Sequence, residues 1–205
     1  MLKKLVIILD CAHGADVKGK CSPDGTHREY KWSRLICGKL RDKLESLGYR
    51  VEYTNKTENE IGLSQRKNIA NNIKINSDQV KFLISLHNNA AGNGSNWTNA
   101  TGFEIFTSKG QTLSDKFAQV IMSNLQKDFP ESNGFKHRVD LTDGDLDKEE
   151  NFTVLMGNYY GILLEWLFQD NKEDVKLLND EIINNKLIDS LVKSINYIND
   201  NFSNL

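Results

Sequence analysis

The sequence predicts an α/β fold, a single three-layer domain with a largely parallel central sheet flanked by helices. Three observations lead there. Short apolar runs end abruptly in polar residues; segments with helical apolar spacing alternate with those runs; and the 205 residues contain no internal repeat or linker. Strands separated by helices become parallel neighbours, because a parallel pair needs a crossover connection. One domain of this length buries about 70% of the surface its unfolded chain exposes, so neither disulfides nor a structural metal are needed for folding.

The first run, Leu5 to Leu9, is continuous and ends at Asp10, with a glycine-containing polar loop through Gly25 after it. That is the pattern of an interior strand feeding a functional loop. From Glu29 to Leu47 the apolar residues Trp32, Leu35, Ile36, Leu40, Leu44 and Leu47 follow helical spacing, and Gly48 stops the helix. Arg50 to Thr54 alternates as a second strand, and Leu63, Arg66, Ile69, Ala70 and Ile73 mark a second helix.

Phe82 to Leu86 is a third strand, ending at His87 ahead of an Asn- and Gly-rich loop over Asn88 to Ala100. Gly102 to Thr107 returns as a strand, and Leu113, Phe117, Val120, Ile121 and Leu125 mark a third helix closed by Phe129-Pro130. Phe135 to Leu141 and Phe152 to Met156 read as short strands or loop. Ile162 to Leu164 is another buried run, ending in Glu165, and Asp180 to Phe202 has the spacing of a terminal helix.

Composition excludes some functions. With 26 basic against 28 acidic residues, a net charge of −2 and no Lys/Arg block, the chain is not a dedicated nucleic-acid binder. The N-terminal apolar run is too short for a signal peptide or a membrane helix. Cys11, Cys21 and Cys37 lack the close pairing of a zinc knuckle or redox motif and read as free thiols of a reducing compartment.

Ligands of open α/β sheets gather outside the carboxyl ends of the strands. His13, His87 and Glu165 fall at or just past such ends, and Glu29 begins the first helix. Two imidazoles and a carboxylate suit zinc with one position left for water. Taken singly, each histidine equally fits a surface or hydrogen-bonded role, and Glu29 a favourable first-turn carboxylate. Glu165 stands apart, because Ile162, Leu163, Leu164, Trp166, Leu167 and Phe168 surround it and burying an unpaired charge is costly.

Five blocks follow in order: Asp10-Cys11-Ala12-His13-Gly14; Glu29 in His27-Arg28-Glu29-Tyr30; Leu63-Ser64-Gln65-Arg66-Lys67-Asn68-Ile69-Ala70-Asn71; Ser85-Leu86-His87-Asn88-Asn89-Ala90 with Gly102-Phe103-Glu104 beyond it; and Glu165-Trp166-Leu167-Phe168-Gln169-Asp170-Asn171. Together they resemble the zinc-dependent N-acetylmuramoyl-L-alanine amidases of the amidase-3 family, found in bacterial cell-wall hydrolases and phage endolysins. The likeness covers nearly the whole chain. Its departures are Cys11 and Ala12 for Pro-Gly, Ala15 for a frequent second Gly, and Leu167 for Gly.

The resemblance implies a phosphorylase/hydrolase-like amidase fold, one Zn2+ per chain on His13, Glu29 and His87, and Glu165 as the catalytic base. The bond cut would join the lactyl group of N-acetylmuramic acid to L-alanine in peptidoglycan. Arg66, Asn89, Glu104 and His137 are candidates for substrate contact. Against that, Arg66 fits a helix-surface ion pair, Glu104 a supporting place behind the site, and His137 a solvent-facing loop. His27 is left outside the metal shell as a loop residue.

Residues 1–205 are expected to be one catalytic domain without a separate wall-binding domain. Lacking a signal peptide, it would wait in the host bacterial cytoplasm, as an endolysin does before lysis. The rival readings are a zinc peptidase or carboxypeptidase of related fold and a wall-binding module without catalysis.

Overall fold

The computed structural model describes residues 4–142 and 144–205. Strand β1 (Leu5–Cys11) is buried along its whole length, as its continuous apolar run requires. It leads through a long loop to α1 (Glu29–Ser46), then β2 (Arg50–Tyr53), α2 (Leu63–Asn72) and β3 (Val80–Asn89). The chain continues through β4 (Phe103–Thr107), α3 (Leu113–Asp128), the two-residue β5 (Lys148–Glu149), β6 (Tyr160–Phe168), α4 (Lys172–Leu178) and α5 (Glu181–Asn201).

Six strands form one sheet in the order β2-β1-β3-β6-β4-β5. β2, β1, β3 and β6 run parallel; β4 pairs antiparallel with β6, and β5 runs parallel to β4. Because side chains alternate between the faces of a strand, each interior strand feeds two cores. Leu5, Ile7 and Leu9, Phe82, Ile84 and Leu86, and Ile162 and Leu164 pack under α1, α3 and α5. Ile8, Leu83 and Leu163 face α2 and a 3-10 turn at Thr153–Leu155. The result is three layers, with the thinner one carrying the opening to the site.

Several boundaries differ from expectation. β3 runs through His87 and Asn88 to Asn89, so the expected Asn88 to Ala100 loop loses its first two residues to the strand. Their polar side chains sit at a sheet end where partners exist for them, which local composition cannot reveal. Phe135 to Leu141 is not a strand; only a single bridge joins His137 to Phe103. Phe152 to Met156 holds the 3-10 turn rather than a strand. Glu165 lies inside β6, three residues before its end.

Candidate metal centre and active site

His13 lies two residues past the end of β1, in a left-handed backbone conformation (φ 48°) that a non-glycine residue adopts only when its surroundings enforce it. Two arginines do so. Arg34 donates from Nη2 to the His13 carbonyl at 3.0 Å and from Nη1 to the Ala12 carbonyl at 3.2 Å, and Arg66 Nη2 meets the same His13 oxygen at 3.0 Å. Gly14 completes the bend, since a β-carbon there would stand 2.0 Å from the Glu60 backbone nitrogen.

Glu29, 1% exposed, is delivered by the first turn of α1. His87 Nδ1 lies 2.9 Å from its Oε1, and His13 Nε2 lies 3.4 Å from its Oε2. The two imidazole rings meet edge-on, with centroids 5.1 Å apart. One ligand atom from each of the three residues falls within 4.8 Å of the others. The carboxylate is further fixed by the Asn88 amide at 3.1 Å and by Gln169 Nε2 at 3.0 Å. His27, fully enclosed, donates from Nε2 to Asn88 Oδ1 at 2.8 Å and so braces the strand end without joining the cluster.

Electrostatics follow from this packing. Burial opposes ionisation of Glu29, but hydrogen bonds and charge from His13 and His87 outweigh it and hold the carboxyl well below the usual range. Burial likewise lowers the His87 imidazole, and the Glu29 contact overrides that and raises it. The carboxylate thus draws its counter-charge from two imidazoles, which is the demand a divalent cation would meet. Two nitrogens and a carboxylate oxygen converging on one point suit a borderline ion such as zinc.

β3 and β6 pair so that His87 stands directly opposite Glu165, and Glu104 of β4 stands opposite Glu165 on the other side. Glu165 Oε2 is enclosed and has no hydrogen-bond partner among the described residues. Burial first, then the charges of Glu29 and Glu104, push this carboxyl up to about 7, against the lowering influence of His87. A cavity of about 220 Å³ opens over it, lined by His13, Lys20, His87 and Glu165 on one side and by Leu63, Phe152 and Val154 on another.

The other candidates separate. Glu104 is held by Arg138 Nε at 3.1 Å, by Lys148 Nζ and by Asn89 Nδ2, so Glu104 and Asn89 form a bridge behind Glu165. His137 donates from Nε2 to the Phe129 carbonyl at 2.7 Å and packs against the Phe103 ring, neither facing solvent freely nor reaching the cluster.

Arg66 is not on a helix surface. It is 1% exposed, and its guanidinium serves Asp10, Glu60 and the carbonyls of Cys11 and His13. Asp10, Arg34, Asn88 and Gln169 were missed at the sequence level. Asp10, Asn88 and Gln169 sit inside the quoted blocks, but Arg34 lies outside them and carries no local signal of its role.

The family model described as N-acetylmuramoyl-L-alanine amidase matches residues 7–197. A sequence comparison with curated proteins returns no match. Among solved structures, the N-acetylmuramoyl-L-alanine amidase from Clostridium difficile 630 is similar at 25% identity, covering 97% of this chain and 98% of that one with a TM-score of 0.81. The catalytic domain of CwlV, the N-acetylmuramoyl-L-alanine amidase from Bacillus (Paenibacillus) polymyxa var. colistinus, is similar at 23% identity, with 95% and 98% covered and a TM-score of 0.76. The catalytic domain of the CD27L endolysin targeting Clostridia difficile shares the fold at 18% identity, with 95% and 97% covered and a TM-score of 0.61.

Proposed function

The chain belongs to the N-acetylmuramoyl-L-alanine amidase family and is a peptidoglycan amidase, and from that premise we propose that His13, Glu29 and His87 hold one zinc ion while Glu165 moves the proton. The observation that carries the assignment is the register pair His87 and Glu165, which sets an unpartnered, raised carboxyl beside a converging His-Glu-His set. When bound, zinc supplies a Lewis acid for the amide carbonyl and eases ionisation of the attacking water.

Glu165 Oε2 takes the proton of that water and returns it to the leaving nitrogen of L-alanine. A carboxyl near pH 7 can do both, because neither transfer is then strongly uphill. Lys148, Arg138 and Asn89 hold Glu104, which stands opposite Glu165 in the sheet and whose charge helps to raise the Glu165 carboxyl. Leu63, Phe152 and Val154 give the cavity an apolar wall against which the substrate can pack. In this reading residues 1–205 act as the catalytic domain, and Arg66 positions the His13 loop instead of touching substrate.

The test compares zinc-loaded wild type with Glu165→Gln on purified peptidoglycan, identifying soluble products by mass spectrometry. Release of intact stem peptides, reduced about 10²–10⁴-fold in the variant with zinc content unchanged, is the expected result. Release of terminal amino acids instead would make the chain a peptidase, and equal release by the variant would remove Glu165 from the chemistry.

The cellular setting we propose is an endolysin's, with the enzyme in the host cytoplasm until the membrane opens. Among the described residues no helix is long and apolar enough to cross a membrane, which is compatible with that setting. Expression in a susceptible bacterium is expected to cause lysis only when a separate pore-forming protein is co-expressed.

A further inference from the structure

We propose that Asp115, Asp145 and Asp147 form a second cation site, built wholly from hard oxygen ligands and suited to calcium. It shares no residue with the His13, Glu29 and His87 set. One carboxylate oxygen from each aspartate lies within 4.8 Å of the others. Asp147 is fully buried, yet among the described residues its Oδ1 has no hydrogen-bond partner, and the enclosed Oδ1 of Asp145 has none either.

The donors around the cluster satisfy only part of it: the Thr112 backbone N–H donates to Asp115 Oδ2, Gln111 Nε2 lies 3.4 Å from Asp145 Oδ2, and a threonine hydroxyl is shared. Thr107 Oγ1 lies 2.8 Å from Asp115 Oδ1 and 2.7 Å from Asp147 Oδ2. A hydroxyl carries a single proton, so only one of these contacts is a hydrogen bond donated by threonine. Among the described residues no lysine or arginine forms an ion pair with any of the three aspartates. Gathering carboxylates out of water without a counter-ion is costly, and the group needs either a proton or a cation. Burial first, with the charges of Asp145 and Asp115, pushes the Asp147 carboxyl up to about 7 against the Thr107 contact, which fits both answers.

The surroundings favour the cation. A cavity of about 180 Å³ lined by Gln111, Asp115, Lys116, Gln119, Gly144 and Asp145 adjoins the cluster and has room for waters to complete a coordination shell, and the Lys116 ammonium that borders it forms no ion pair with the three aspartates among the described residues. The donors are all oxygen, with no nitrogen or sulfur to draw zinc. Calcium accepts six to eight oxygens in irregular geometry, whereas magnesium demands a near-ideal octahedron, and three carboxylates drawn from two segments suit the former. A bound ion would tie β4 and the first turn of α3 to the segment entering β5. The next residue along, Lys148, reaches Glu104 opposite Glu165, so the brace would also steady the bridge behind the active site.

The experiment uses zinc-loaded protein freed of calcium and dialysed against calcium chloride. Bound metals are counted by mass spectrometry, and thermal unfolding is followed with and without calcium. The expected result is one calcium per chain beside an unchanged zinc content, with Tm raised by about 5 °C at about 5 mM calcium. Asp147→Asn and the half-exposed Asp145→Asn are each expected to abolish both effects and leave zinc in place; the second variant carries the test if the first does not fold. The proposal is overturned if wild type binds no calcium, if either folded variant binds as much as wild type, or if Asp147→Asn is simply more stable in calcium-free buffer while wild type gains nothing from calcium, since a shared proton would then account for the cluster.

Discussion

Arg66 engages its guanidinium wholly within the protein, with Nε and Nη2 on Glu60, Nη1 on Asp10 and the Cys11 carbonyl, and Nη2 on the His13 carbonyl. Removing it would strand the buried Asp10 carboxylate, which also meets Thr54 and Ser85. Breaking a buried pair in this way costs about 3–5 kcal/mol. Arg66→Ala is therefore expected to lose that much stability in urea and to weaken zinc retention, because the His13 loop loses a strut. A raised KM with stability intact would instead return Arg66 to the substrate. The spacing of the block around Arg66 is visible in the sequence. Its partners are not, because Asp10 lies 56 positions away and only the sheet brings it near.

At the scale of elements, a bulge in β6 falls at the one departure from the family blocks that lies beside Glu165. Two steps along β3, from His87 to Asn89, match three along β6, from Glu165 to Phe168. The extra residue bends the strand just after Glu165, and Leu167 takes a left-handed conformation (φ 58°) where glycine is the unstrained choice. Leu167 is fully buried, so its packing offsets the strain. Truncating it is expected to destabilise, but Leu167→Gly should remain about 1 kcal/mol more stable than Leu167→Ala, the reverse of their usual order in a strand. Thermal or urea unfolding of the pair checks this, and the ordinary order would contradict a strained backbone. Apolar runs made the interior strands legible. The reversal of β4 and the short α4 were not, since strand direction is set by tertiary pairing and a seven-residue helix barely establishes a period.

At the scale of the whole molecule, the titrating groups set how stability depends on pH when metals are removed. Glu165 and Asp147 have raised carboxyls near 7, and His87 is raised as well. Between the ordinary carboxylate values and about pH 7 the folded chain holds protons that the unfolded chain has released, so this stability is present at low pH and lost as pH rises. Buried His27 is lowered, chiefly by burial, and acts in the opposite sense. The buried Asp174 carboxyl is raised too, chiefly by burial, and four groups against one predict that Tm in chelator falls from about pH 5 to about pH 8. Zinc and calcium are expected to flatten that fall, because both bind the deprotonated ligands. A Tm that rises with pH in chelator would contradict this balance.

The most direct measurement for the active site is anomalous diffraction at the zinc edge from crystals of the zinc-loaded enzyme. The expected result is one strong peak about 2.0–2.2 Å from a Glu29 carboxylate oxygen and from a ring nitrogen of each of His13 and His87, beside Glu165. A peak elsewhere, or none in crystals whose dissolved protein cleaves peptidoglycan, would contradict the assigned centre.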